Sequence, residues 1–162
     1  MPSEQTKPEV ELPNRRSARF AAIQTLYQLE ADPSLKIEKT LADFVNHRVP
    51  EQLDGISLKA IDKQFFAILV KGVMLKKVDL DDMITAVLVE TWTVERLDAV
   101  LRAILRAGTL EISELHDVPP RVTIDEYASL CSGFLGDKET SLVNATLDQI
   151  AQSLRPEELE LT

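Results

Sequence analysis

Apolar residues recur along this chain at spacings of three and four, the period of an α-helix buried on one side. Phe20, Ile23, Leu26, Tyr27 and Leu29 predict a helix over 15–31, capped by Asn14 and stopped by Pro33, which disfavours helical geometry at Asp32. Leu35, Leu41, Phe44 and Val45 predict a second helix over 34–47. A third and longer stripe runs through Leu58, Ile61, Phe65, Ile68, Leu69, Val73 and Met74, with Ser57 as its cap and a continuation or a restart near Asp79–Asp82. The β-branched stretch TAVLVETW (85–92) would suit a strand by propensity, but its place between two helical patterns assigns it to helix. Val94, Leu97, Leu101, Ile104, Leu105, Gly108 and Ile112 line one side of a helix over 93–115. Gly108 inside it costs about 1 kcal/mol against Ala, tolerable where another helix packs closely. TIDE (123–126) has the spacing of a capping box, with Thr123 as cap and Glu126 three residues on, and opens a helix to about Phe134. Val143, Leu147, Ile150 and Leu154 predict a last helix over 140–154. No β alternation of useful length occurs, so the fold class is all-α.

Composition adds limits. At 162 residues the chain is one ordinary domain in length, with 44% hydrophobic and 28% charged residues. Residues 1–14 are polar, acidic and without periodicity, and read as a flexible tail, as do 156–162. MPSEQTKPEVELPN lacks the basic-then-apolar order of a secretory signal, and FFAILV (65–70) is far too short for a membrane span of roughly 20 residues. One cysteine, Cys131, excludes an intrachain disulfide and fits a cytoplasmic protein. A formal net charge of −9 argues against gripping nucleic acid by bulk electrostatics, so any such binding must be local and assisted.

Catalytic chemistry has no signature. Five glycines, at 55, 72, 108, 133 and 136, form neither a phosphate-cradling loop nor a dinucleotide turn. His47 and His116 lie in no metal-ligating pattern, and DLDD (79–82) lacks the glycine and terminal Glu of a calcium loop. Cys131, beside Leu130, reads as a small buried thiol. No enzyme, cofactor or metal is expected.

The unusual feature is the front of the first helix. Arg15, Arg16 and Arg19 fall within five residues, and no acid occurs from Leu12 to Leu29. Cations at a helix N-terminus oppose the dipole by about 0.3–1 kcal/mol each. A bound phosphate would reverse that sign, because free N–H groups and guanidinium forks both favour an anion. A solvated basic turn is the plainer alternative, and the residues alone weigh the two evenly.

Five segments resemble the NusB family of bacterial transcription antitermination factors, in the same order along the chain. RRSARFAAIQTLYQLE (15–30) is similar to the family's R-R-x-A-R helix with its following Q-x-L-Y. FFAILVKGV (65–73), ILRAGTLEI (104–112), DVPPRVTIDEYASL (117–130) and LVNATLDQIAQSL (142–154) resemble its later motifs. The resemblance implies about seven helices in two packed subdomains, here about 15–90 and about 91–155, within one domain over 15–155. It implies a non-catalytic RNA-binding factor for boxA-type RNA of ribosomal RNA transcripts, working with NusE, a small-subunit ribosomal protein, on elongating RNA polymerase. On that basis Arg15, Arg16 and Arg19 are expected phosphate contacts and Gln24 a further RNA contact. Phe134 is a base-stacking candidate with core packing as its alternative, Lys138 a second basic contact, and Tyr27 core packing or a partner contact. Trp92 is expected to be structural. A monomer is favoured over a homodimer. The alternatives are a helical protein-interaction module, or a stand-alone relative of the RNA-binding domain of ribosomal RNA methyltransferases.

Departures from the family pattern thin the second basic region. Asp125 replaces Asn and Tyr127 replaces Ala. Ser132 and Gly133 stand where Lys and Arg often precede Phe134, and Ser141 where Lys is common. Weaker stand-alone RNA affinity and greater dependence on NusE are therefore expected.

Overall fold

The computed structural model describes residues 14–46, 52–53, 56–57, 61–89 and 91–159, with only the backbone described at 44–46, 52–53 and 56–57. The expected tail before Asn14, His47 and the side chains of Phe44 and Val45 lie outside the described residues.

Helix α1 (Arg15–Ala31) starts where Asn14 accepts a hydrogen bond from the Ser17 amide at 3.0 Å, and it ends at Asp32 before Pro33. Helix α2 (Ile37–Asn46) begins later than expected. Ser34 is held in a turn by Asp32, whose Oδ1 accepts from the Ser34 amide at 3.0 Å. Strands β1 (Gln52–Leu53) and β2 (Ile56–Ser57) pair antiparallel and place Ser57 in extended backbone. Ser57 is therefore not the cap of α3 (Lys63–Val87); Asp62 is, accepting from the Phe65 amide at 3.0 Å. Ile61 forms a parallel bridge with Asn14, and this extended pairing keeps helical geometry from starting earlier.

α3 runs on through Asp79–Asp82 with one non-helical residue, Lys76 (φ −108°, ψ 16°). It stops at Val87, so Leu88, Val89, Thr91 and Trp92 lie outside the helix expected there, and the Trp92 amide donates to Val89 O at 2.8 Å. The expected helix over 93–115 divides into a 3-10 turn (Val94–Arg96) and α4 (Ala99–Glu114). Asp98 caps α4 through the Val100 amide at 2.8 Å, and the Arg102 guanidinium donates to the carbonyls of Leu97 and Glu95, fixing the break.

Helix α5 (Pro120–Phe134) starts at a proline, not at Thr123. Proline suits a first helical position because the amide it lacks would be unpaired there. Thr123 is consequently buried inside the helix, and the capping-box reading of TIDE is corrected. Helix α6 (Asp137–Leu154) gains a turn before the expected start at 140, with Asp137 and Glu139 favourably placed at its positive end. The chain then makes a short α7 (Pro156–Leu159) where tail was expected. Arg155, 5% exposed, donates to the Ile112 carbonyl at 3.4 Å in the last turn of α4 and to the carbonyls of Val118 at 2.9 Å and His116 at 3.3 Å in the α4–α5 connection.

α4 is the central helix, packed by α1, α3, α5 and α6. Its Leu101, Ile104, Leu105 and Ile112 are fully buried. Gly108 permits the close approach its position suggested: a Cβ there would lie 2.7 Å from Leu147 Cδ1 on α6 and 3.3 Å from Tyr127 on α5. One apolar cluster joins residues of α1 through α6, so α1 is held against a continuous core on which its arginines are then set.

Candidate functional site

α1 brings Arg15, Arg16 and Arg19 to its positive end, and its first turn contains no acid. The missing carboxylates arrive from other elements. Arg15 Nη2 donates to Asp117 Oδ2 at 3.1 Å in the α4–α5 connection, and its Nε lies 3.8 Å from Asp62, the cap of α3. Arg16 makes a two-pronged pair with Glu126 of α5, at 3.0 and 2.9 Å. Arg19 makes another with Glu111 of α4, both at 2.8 Å. The Arg15 and Arg19 guanidinium carbons also lie 4.7 and 5.1 Å from the centre of the Phe65 ring.

These three pairs differ in access to solvent. The side chains of Arg19 and Glu111 are 4% and 0% exposed; those of Arg16 and Glu126 are 65% and 17%, and those of Arg15 and Asp117 are 41% and 64%. Exposed pairs contribute about 0–1 kcal/mol, so an incoming anion can replace the carboxylate at little cost. A sealed pair costs about 3–5 kcal/mol to break, because an uncompensated charge is left in the interior. Arg15 and Arg16 reach solvent, although the Glu126 carboxylate that holds Arg16 is largely buried. Arg19 does not, and its expected phosphate contact is corrected: it ties α1 to α4.

Proton equilibria follow the same geometry. Burial works against the charged Arg19, but the hydrogen bonds and charge of Glu111 outweigh it and hold the pKa above the ordinary arginine value. The hydrogen bonds from Arg16 hold Glu126 below the usual carboxylate value, and Arg16 is raised in turn. Tyr127 is fully buried; burial first, and the Glu111 charge second, push its hydroxyl well above the ordinary value and keep it neutral beside Arg19. Burial also raises the Cys131 thiol, in keeping with a packing role.

Phe134 is half-buried and stacked on Phe20 of α1, with ring centroids 5.1 Å apart and planes 16° from parallel. One face of its ring is thus taken by packing between α1 and α5, the alternative the sequence offered beside base stacking. Gln24 sits half-buried one turn beyond Phe20. Tyr27 is 44% exposed, so of its two expected roles core packing is excluded. Lys138, in the first turn of α6, is exposed with Nζ 5.1 Å from the ring centre of half-buried Trp92.

Sequence reasoning found the arginines and missed the acids that hold them. Asp117 and Glu126 stand inside a motif already singled out, but a one-dimensional pattern assigned Glu126 to a cap. Asp62 carried no signal, and Glu111 stands inside ILRAGTLEI (104–112), where nothing in the pattern marks it as a counter-charge. Among the described residues, no helix is long and apolar enough to cross a membrane.

Comparison with known proteins gives concordant matches. A family model described as "NusB family" matches residues 16–152. The chain is 39% identical over 158 residues to the transcription antitermination protein NusB of Rhizobium etli (strain CIAT 652), covering 97% of this chain and 98% of that protein. It is 42% identical over 143 residues to that of Sinorhizobium fredii (strain NBRC 101917 / NGR234), covering 88% and 89%. A solved structure of T. maritima NusB superposes with a TM-score of 0.74 at 28% identity, covering 92% of this chain and 99% of that one.

Proposed function

The chain belongs to the NusB family, and from that premise we propose that it binds boxA-type RNA of ribosomal RNA transcripts together with NusE, through Arg15 and Arg16. It is a non-catalytic transcription antitermination factor. The observation that supports the RNA site is the pair of solvent-accessible guanidinium groups at the positive end of α1, Arg15 paired with exposed Asp117 and Arg16 with the less accessible Glu126. Both the helix terminus and the forks favour an anion. Gln24 on the same helix and exposed Lys138 are assigned to the same strand, and exposed Tyr27 to NusE. The chain acts in the cytoplasm as a monomer within the antitermination complex on RNA polymerase, where NusE compensates for the thin second basic region.

The test is a gel shift on boxA-type and scrambled RNA, with NusE present, comparing the native chain with the Arg15→Ala/Arg16→Ala double variant. Arg19 is left intact because replacing it would unsettle the fold. Loss of two phosphate contacts should weaken binding and reduce the salt slope by about 1.4, at about 0.7 per contact on a single strand. Unchanged affinity and slope would remove these arginines from the site.

One observation favours a second reading. All three arginines already have carboxylate partners within the chain, as a purely structural cluster in a helical protein-interaction module would have. That reading requires the double variant to bind RNA as the native chain does while its thermal stability falls slightly.

A further inference from the structure

We propose that Asp117 and Glu126 are built-in competitors for the RNA backbone: each occupies an arginine fork in the free protein and must yield it to a phosphate when RNA binds. The inference rests on the RNA-binding reading above and goes beyond it by assigning a role to the acids.

The three arginine–carboxylate pairs are graded from sealed to open. Arg19–Glu111 is enclosed and serves packing. Glu126 meets Arg16 with two parallel hydrogen bonds of 3.0 and 2.9 Å, and Asp117 meets Arg15 with one of 3.1 Å. A carboxylate engages a guanidinium in the same planar, two-oxygen manner as a phosphate, so the two anions exclude each other at one fork. The Arg16 and Asp117 side chains are 65% and 64% exposed and that of Arg15 41%, so a strand reaches both forks from solvent, while Glu126, 17% exposed, is left in a largely buried position by the exchange. Unpaired, either carboxylate would also repel an arriving strand. In a chain of net charge −9 these acids keep the arginine cluster at the N-terminus of α1 neutral until a polyanion with several phosphates, or a partner that displaces the acids, engages it. The design raises the threshold for RNA over single anions.

Removing the competitors should therefore tighten RNA binding. Asp117→Asn and Glu126→Gln keep the shape and hydrogen-bonding capacity of each side chain and delete its charge. Affinity for boxA-type RNA, measured by fluorescence anisotropy with NusE present, should rise about two- to fivefold for each variant, the upper bound set by the strength of an exposed ion pair. Asp82→Asn controls for net charge. Asp82 is exposed on α3, about 30 Å along the helix from Asp62 at the rise of a helical residue, and its replacement should change affinity by less than twofold. In an Arg16→Ala background the Glu126→Gln gain should shrink to what relief of repulsion alone supplies, because no fork remains to be freed. Thermal melts of each variant verify the fold.

An intact Glu126→Gln protein that binds RNA no better than the native chain would overturn the inference while leaving the RNA reading in place. So would one that binds worse, which would make Glu126 a residue that positions Arg16 for the strand. Failure of the native chain and every variant to bind boxA-type RNA with NusE present would overturn both.

Discussion

Replacing Arg19 distinguishes its two possible roles most sharply, because they predict opposite readouts. Its guanidinium makes two 2.8 Å hydrogen bonds to Glu111, and the two side chains are 4% and 0% exposed. Arg19→Ala leaves the Glu111 carboxylate buried without its counter-charge, at a cost of about 3–5 kcal/mol. For a chain of this length each kcal/mol lowers the melting temperature by about 2–4 °C, so a fall of roughly 10 °C is expected. That is a large share of a typical stability of about 5–15 kcal/mol. Arg19→Lys keeps the charge but not the two-pronged geometry, and should still lose a substantial part. The double variant Arg19→Met/Glu111→Leu removes both charges and fills the space with apolar atoms, which commonly restores or exceeds the original stability. Urea and thermal unfolding followed by circular dichroism measure all three, and anisotropy with boxA-type RNA and NusE measures function in the double variant. The expected result is a destabilised single variant, a recovered double variant, and RNA affinity in the double variant within about twofold of native. An Arg19→Ala protein that melts within 2–3 °C of native yet loses RNA binding tenfold would refute the structural assignment and return Arg19 to the phosphate site.

Three further outcomes follow from the geometry. Arg155→Ala removes the donors that satisfy the carbonyls of Val118 and His116, and should cost about 1.5–3 kcal/mol in urea unfolding, the worth of hydrogen bonds to a charged group. Glu126 has a folded-state pKa below its ordinary 4.5, so its contribution is fully present above 4.5 and lost as pH falls through the depressed value; acid titrations should show Glu126→Gln losing less stability than native below pH 4.5. The lone chain should bind boxA-type RNA far more weakly than its complex with NusE, and nanomolar binding by the lone chain in anisotropy would contradict the thin second basic region.

The chain order alone determined the helical class, the buried stripe of α4 and that of α1 apart from exposed Tyr27, the close packing at Gly108 and the place of the arginines. These are local properties: a period of 3.6 residues, a cap or a proline within one turn, and a missing side chain are all written within a few positions of one another. The same logic misplaced the starts of α3 and α5, since Ser57 and Thr123 had the right chemistry but their backbones were committed elsewhere, to a strand pair and to a helix already begun at Pro120. Tertiary structure decided what the arginines mean. Their partners lie 92, 102 and 110 residues away, at Glu111, Asp117 and Glu126, and no periodicity links positions so distant. Only the packing of α1 against α3, α4 and α5 sealed Arg19, left Arg15 and Arg16 open to solvent and turned Phe134 onto Phe20. A charge is read from sequence as a sign. Its burial and its counter-charge, which set whether it stabilises a core or waits for a ligand, exist only once the helices have met.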